Sequence, residues 1–211
     1  MINVQNVVGS QQQIKNNTSV IQNDLYPPYR TFEPLINERI KELNAVLIRD
    51  FSLLEKCIWT TEWLNEWAIH QSVHTYTIVE VENSACESVF YHLRDKGFKN
   101  VFLKPDALLM NLYVSYSENP IIIQKLLPRS PLMSVKTSKG AAVTVPKLEK
   151  ILVDIYCDTI LFSAYGGHER DQLFQRVFKN YAVDLKTLLA YAERRKRKAL
   201  FRDYYTNILK K

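Results

Sequence analysis

The sequence contains five consecutive cations, Arg194–Lys198. On a helix such a run would point in every direction, so its members cannot all be buried or all be paired. Guanidinium and ammonium groups at this density bind phosphates or an acidic protein face, with an affinity that falls steeply as salt is added. The competing interpretation is a solvated basic helix end, which the helix dipole favours. The candidate binding residues are Arg194, Arg195, Lys196, Arg197 and Lys198.

A second set has the residue types needed for metal-dependent cleavage of nucleic acid. Such sites pair an Asp that follows one strand with an acid-x-Lys sequence on the next strand. The two carboxylates hold Mg²⁺, and the lysine stabilises the attacked phosphate. Asp106 fits the first half of the pattern, but Ile123 stands where an acid is needed two residues before Lys125. Glu80 and Glu82 are the only nearby replacements. We therefore expect no catalytic residue, metal or cofactor, and keep an active or degenerate nuclease as an alternative.

Charge is distributed unevenly over the 211 residues. The net charge is +6, yet residues 179–211 hold ten Lys/Arg against three Asp/Glu and so carry +7. The C-terminal region is thus the expected surface for an acidic partner.

The five glycines form no phosphate-binding loop, and the scattered Cys and His residues do not have the spacing of a zinc site. No apolar window is long enough to span a membrane, and the first residues do not resemble a secretory signal, so we expect a cytoplasmic location.

The elements that would position these residues alternate between strands and helices. β-branched runs predict strands, and apolar residues at helical spacing predict the helices between them. This order predicts an α/β fold, with a mixed or parallel sheet of about four to five strands covered by helices and a helical C-terminal part. The predicted elements are strand Tyr76–Val81, a helix around Cys86–Leu93, strand Val101–Leu103, helix Asp106–Val114, strand Pro120–Leu127, strand Val143–Val145 and helix Pro146–Cys157.

The helix predicted after Val145 has the clearest amphipathic pattern. Leu148, Ile151, Leu152 and Ile155 share one face, and Thr144 is its expected cap. Another helix is predicted to begin near Thr60 or Thr61 and to carry Trp63 and Trp67. These two tryptophans and Trp59 are spaced four apart. Their stripe favours a core position, with stacking on bases or a ligand as the alternative. The tryptophans are Trp59, Trp63 and Trp67.

The C-terminal part is predicted to consist of separate helices. Asp184 has the position of an N-cap, and the helix after it should end where Arg195 and Lys196 interrupt its apolar face. A last helix is expected over Lys198–Leu209. We predict a loose N-terminal arm over residues 1–30 and a single α/β domain over residues 31–211, ending in basic helices.

Several stretches together resemble a known family. The block Pro146–Asp154, with its run Leu152-Val153-Asp154 after a short strand, is similar to the AbiEi-type antitoxins of type IV (abortive infection) toxin–antitoxin systems. Four more stretches match in order and spacing, and the likeness extends over roughly residues 32–200. These stretches are Cys57–Glu66, Tyr76–Glu82, Leu161–Gly167 and Leu189–Arg195.

The resemblance implies a bacterial, non-enzymatic antitoxin that opposes a nucleotidyltransferase-like toxin of the AbiEii type. Family members commonly add an N-terminal winged helix-turn-helix that binds a promoter, whereas too few residues precede Phe32 here for that module. Lys147, Glu149 and Asp154 are further candidates because they lie in the family block. Our expectation is an antitoxin or regulator acting by binding, with plain binding to DNA or RNA as an alternative.

Overall fold

The computed structural model describes residues 29–137 and 141–210, so the predicted arm lies almost entirely outside the described residues. Within these ranges the chain alternates helices and strands before an all-helical end. The helices are α1 Glu38–Asp50, α2 Cys86–Asp95, α3 Ala107–Leu112, α4 Leu148–Cys157, α5 Gly167–Asn180, α6 Leu185–Arg194 and α7 Lys198–Leu209. The strands are β1 Lys56–Thr60, β2 Thr77–Val81, β3 Val101–Leu103, β4 Ile121–Lys125, β5 Leu132–Lys136 and β6 Ala142–Pro146.

The main sheet has four strands in the order β1-β2-β4-β3. Strands β2, β3 and β4 are parallel, and β1 runs antiparallel to β2. Strand β2 is buried along its whole length, which fits its β-branched composition. Because parallel strands end at the same edge, the carboxyl ends of β2 and β4 lie side by side, with Glu80 paired to Gln124. The predicted α/β fold, with a mixed sheet and a helical C-terminal part, is confirmed.

Strands β5 and β6 form a second, two-stranded sheet that is not hydrogen-bonded to the main one, although β6 packs beside β1. The predicted strand Val143–Val145 exists, but it pairs with β5 and does not extend the main sheet. The helix predicted from Thr60 or Thr61 is a 3-10 helix over Thr61–Glu66, and Trp59 lies before it in β1, a strand that was not predicted. The favoured core position of the tryptophan stripe is confirmed, since Trp59, Trp63 and Trp67 are all buried.

Helix α4 is almost completely buried. Its predicted apolar face is confirmed, since Leu148, Ile151, Leu152 and Ile155 are all inaccessible to solvent or nearly so. The predicted Thr144 cap is wrong: Thr144 lies within β6, and the helix begins after Lys147 without a side-chain cap. The strand persists through Pro146 because its pairing with β5 continues there.

The C-terminal helices pack against α4. Asp184 caps α6 as predicted, accepting hydrogen bonds from the backbone of Lys186 and Thr187. Helix α6 ends at Arg194, and α7 begins at Lys198, so both predicted boundaries are confirmed. Between them Lys196 takes a positive φ of 57°. The basic run is therefore a tight turn between two helices and not one continuous helix end.

Candidate functional site

A cleft beside the basic run opens at the carboxyl ends of β2 and β4. It encloses about 530 Å³ between this sheet edge, the end of α4 and the α6–α7 turn. Polar and charged side chains dominate its walls, together with a few apolar ones. The lining residues are Glu80, Gln124, Lys125, Leu127, Asp154, Cys157, Asp158, Phe162, Tyr191 and Arg194–Arg197. We call this space the basic cleft.

The floor of the basic cleft holds an ion cluster that lies inside the protein. The ammonium nitrogen of Lys150 lies 2.7 Å from the carboxylate of Glu80 and 2.6 Å from Oδ2 of Asp154. The Lys150 side chain is only 1% exposed, and the two carboxylates are 3% and 8% exposed. Buried ions require such pairing, because desolvation of an unpaired charge costs several kcal/mol.

Two neutral donors complete the cluster. The indole N–H of Trp59 donates to Oε1 of Glu80 at 2.9 Å, and the hydroxyl of Tyr191 donates to Oδ1 of Asp154 at 3.0 Å. Lys150 and Asp154 are one helical turn apart on α4, which brings both heads to the same side. Strand β1, strand β2, helix α4 and helix α6 each contribute at least one member.

Burial and charge act against each other in this cluster. Burial alone would lower the pKa of Lys150, but Asp154 and Glu80 outweigh it and raise that pKa well above its ordinary value. Burial raises the pKa of Glu80, and the lysine opposes that rise. Lys150 thus stays charged and supplies the internal counter-ion for the two carboxylates.

The lysine also takes the position between two carboxylates that a metal ion would need. Nowhere in the described parts of the chain do three or more His, Cys, Asp or Glu side chains converge to hold a metal. Of the residues considered for a nuclease site, Glu80 and Lys125 line the basic cleft. Asp106 instead caps α3 by accepting the N–H of Leu109 at 2.8 Å, and Glu82 is exposed outside the cleft.

The α6–α7 turn forms the rim of the basic cleft. The guanidinium of Arg195 reaches back to Asp154, with 3.5 Å between Nη1 and Oδ1. Burial opposes the charge of Arg195, yet Asp154 raises its pKa above the ordinary value. Arg194 donates to the backbone carbonyl of Arg129 across the rim. Two guanidinium groups are therefore fixed in place by acceptors.

The other cations of the run differ from one another in surroundings. Lys196 and Arg197 are exposed, and neither forms an ion pair with any carboxylate among the described residues. Lys198 lies outside the cleft lining and pairs with Glu193 at 3.0 Å. Four of the five predicted cations thus meet at one cleft.

The three candidates from the family block separate in the structure. Asp154 belongs to the floor cluster. Glu149 is buried and accepts the backbone N–H of Asp184 at 2.8 Å, which fixes the start of α6. Lys147 is exposed, and its backbone N–H donates to the carbonyl of Pro131. Only Asp154 therefore has a direct place in the site.

Sequence reasoning missed Lys150 and Tyr191 as site residues, and it considered Trp59 for stacking but not as a hydrogen-bond donor to Glu80. One signal was available: Lys150 and Asp154 are spaced i, i+4 on a helix that is otherwise apolar, and such a pair must be satisfied when the helix is buried. The hydrogen bond from Trp59 to Glu80 joins residues 21 positions apart, and the one from Tyr191 to Asp154 joins residues 37 positions apart. A local sequence pattern cannot predict contacts over such separations.

These features define an α/β protein with a basic cleft above a buried, charge-paired floor. The chain belongs to the family of unknown function DUF6577, whose model matches residues 12–211. Neither the curated proteins nor the solved structures contain a match. Across the described ranges, none of the helices is long and apolar enough to cross a membrane.

Proposed function

We propose that this chain is a non-enzymatic regulator of the antitoxin type, which opposes a nucleotidyltransferase-like toxin by binding. The observation that carries the proposal is the convergence of Arg194, Arg195, Lys196 and Arg197 on one cleft. The carboxylates in that cleft already have partners, so the rim is available to an acidic partner.

The positions of the family-like stretches support the antitoxin part of this proposal. Each of the five stretches that resemble AbiEi-type antitoxins supplies a side chain to the basic cleft or its floor. This convergence joins segments that are far apart in the sequence, and it indicates that the resemblance concerns one site. The contributed residues are Trp59, Glu80, Lys150 with Asp154, Phe162, and Tyr191 with Arg194 and Arg195.

The arrangement of charges supports binding over catalysis. Lys150 separates Glu80 from Asp154, and its raised pKa keeps it protonated between them. A general base needs a carboxylate that is free to take a proton, and a metal centre needs carboxylates that converge on an open position. The floor meets neither need while the rim presents exposed cations.

The partner we propose is an acidic face of the toxin. A nucleotidyltransferase holds its catalytic metal ions with carboxylates, and such a face complements a rim of arginines and lysines. Charge complementarity of this kind increases the association rate and makes binding salt-dependent.

Growth rescue tests the proposal. A nucleotidyltransferase-like toxin of the AbiEii type is expressed in a host, alone and together with this chain. We expect this chain to restore growth, and the triple variant Arg194→Gln, Lys196→Gln, Arg197→Gln to lose that effect. The matched control Lys99→Gln, Lys179→Gln, Lys210→Gln removes the same charge from exposed positions outside the cleft.

Two results would contradict the proposal. Growth that stays inhibited with the unaltered chain present removes the antitoxin role. Rescue that is equal for the cleft variant and the control removes the basic cleft from the mechanism.

A nucleic-acid partner is the second candidate, and the same cations favour it. It predicts retention of duplex or single-stranded nucleic acid at low salt, with a binding constant that falls with salt in proportion to the phosphates contacted. Filter binding at several salt concentrations, with the cleft variant and its control, separates this candidate from a protein partner.

A further inference from the structure

We infer that the basic cleft binds a small phosphorylated ligand of the nucleoside triphosphate class. This inference goes beyond the antitoxin proposal and shares only the cleft with it. The ligand would compete with the protein partner for the same cations, and would therefore regulate the interaction.

The size of the basic cleft fits such a ligand. Ligand pockets in proteins commonly enclose about 300–1,000 Å³, and this cleft encloses about 530 Å³. Phe162 and Tyr191 line it, and both are almost completely buried. Phe162 stacks on Trp59 at 5.8 Å between ring centroids, so this wall is fixed by the core.

The charge of the basic cleft suits a polyphosphate. Five cations and three carboxylates line it, and Lys150 behind the floor supplies a sixth cation, which leaves a net charge of +3. Asp154 and Asp158 also have partners other than Lys150. Oδ1 of Asp154 pairs with Arg195, and Oδ1 of Asp158 accepts the backbone N–H of Leu161 at 2.9 Å. Triphosphate groups carry several negative charges close together, which matches a cluster of this kind.

The cations are clustered and not arranged in a track. Arg194, Arg195, Lys196 and Arg197 are consecutive residues of one tight turn, and Lys125 faces them from the end of β4. Proteins that bind single strands distribute cations along a groove together with aromatic side chains for successive bases. In the basic cleft the charge is concentrated at one place, which favours one phosphate chain over an extended backbone.

The guanidinium groups are oriented before any ligand binds. Arg195 is held by Asp154, and Arg194 by the carbonyl of Arg129. Arginine binds phosphate oxygens through paired N–H donors, and a fixed guanidinium loses little freedom on binding. Gln124, half-buried beside Lys125, supplies a donor and an acceptor for the nucleoside part.

Isothermal titration of the full chain with each of the four ribonucleoside triphosphates tests the inference. We expect at least one triphosphate to bind, and the triple variant Arg194→Gln, Lys196→Gln, Arg197→Gln to weaken it by about tenfold or more. The control Lys99→Gln, Lys179→Gln, Lys210→Gln should bind like the unaltered chain. Gln124→Ala should weaken the nucleoside triphosphate while leaving inorganic tripolyphosphate unchanged.

Three outcomes would overturn the inference. They are no heat of binding for any triphosphate at about 1 mM, binding that the cleft variant does not weaken, or a short single-stranded oligonucleotide that displaces the triphosphate at far lower concentration. The last result would assign the basic cleft to the polymer. Growth rescue is measured separately, so failure of the antitoxin proposal leaves the titration interpretable, and the converse also holds.

Discussion

Lys150 and Glu80, seventy residues apart in the sequence, form an ion pair inside the protein with 2.7 Å between ammonium and carboxylate. The pair joins the middle of the main sheet to helix α4. Asp154 shares the same ammonium group, so each of the three charges depends on the others.

Removing the lysine should destabilise the fold strongly. Lys150→Met removes the cation paired with the buried Glu80 and leaves Asp154 with Arg195, and breaking a buried pair in this way costs about 3–5 kcal/mol. Urea unfolding followed by fluorescence measures the loss. The double variant Lys150→Met, Glu80→Gln should recover part of it, because Asp154 keeps Arg195 as its partner. An equal loss in both variants would show that packing, not charge, determines the effect.

The Lys150→Met variant should also respond to pH. Burial raises the pKa of Glu80, and loss of the lysine raises it further. A carboxyl whose folded pKa is raised stabilises the protein below its unfolded pKa of about 4.3, and that contribution is lost as pH rises through the folded pKa. The deficit of the variant relative to the unaltered chain should therefore shrink as pH falls through the raised folded pKa of Glu80 towards the unfolded value of about 4.3. A deficit independent of pH would contradict the assignment of Glu80.

The cap of α6 offers a milder test. Asp184→Ala should cost about 1 kcal/mol, the usual effect of losing an N-cap, whereas Asp184→Asn keeps an acceptor and should cost less. Hydrogen bonds from Thr187 hold the pKa of Asp184 below its ordinary value. This contribution is present above the unfolded pKa and is lost as pH falls through the folded one, so unfolding at neutral and acidic pH should show the Ala deficit only at neutral pH. Equal deficits at both pH values would count against the cap.

Tyr165 should ionise late in an alkaline titration. Burial raises the pKa of its hydroxyl to about 12, and the oxygen has no hydrogen-bond partner among the described residues. The protein should lose stability as pH rises from about 10 towards that value. Tyr165→Phe removes the buried donor, so it should be neutral or stabilising and should lessen the alkaline loss. Ultraviolet absorbance of tyrosinate and thermal unfolding measure the two effects; a clear destabilisation at neutral pH would be inconsistent with an unpaired hydroxyl.

Helix α7 should depend on one buried ring. Phe201 is completely buried and contacts Tyr156 at 5.1 Å between ring centroids. Phe201→Ala should cost about 3–5 kcal/mol, as is usual for a buried phenylalanine. The neighbouring Leu200 is 56% exposed on the same helix, so Leu200→Ala is the matched control and should change the free energy of unfolding by less than about 0.5 kcal/mol. Similar losses of stability for the two substitutions would contradict the burial of Phe201 and the exposure of Leu200.

Much of the fold could be predicted from local patterns, and the floor of the site could not. The ends of α6 and α7 follow from Asp184 and from the cations that interrupt an apolar face, because caps and faces are local properties. Strand β1 was not predicted because its tryptophan continues a spacing that also suits a helix. The partners of Lys150 depend on which strand lies beneath α4, and that information is tertiary.

Helix α6 is joined to α4 at both of its ends. Glu149 accepts a backbone N–H at its start, and Asp154 holds Tyr191 and Arg195 at its finish. The orientation of the α6–α7 turn is therefore fixed by its contacts with the buried helix α4, and the turn has little freedom to move as a hinge. The conformational entropy of the cationic rim is therefore lost when the protein folds. A ligand binds to a pre-organised surface, and ordering the rim adds little to the free-energy cost of binding.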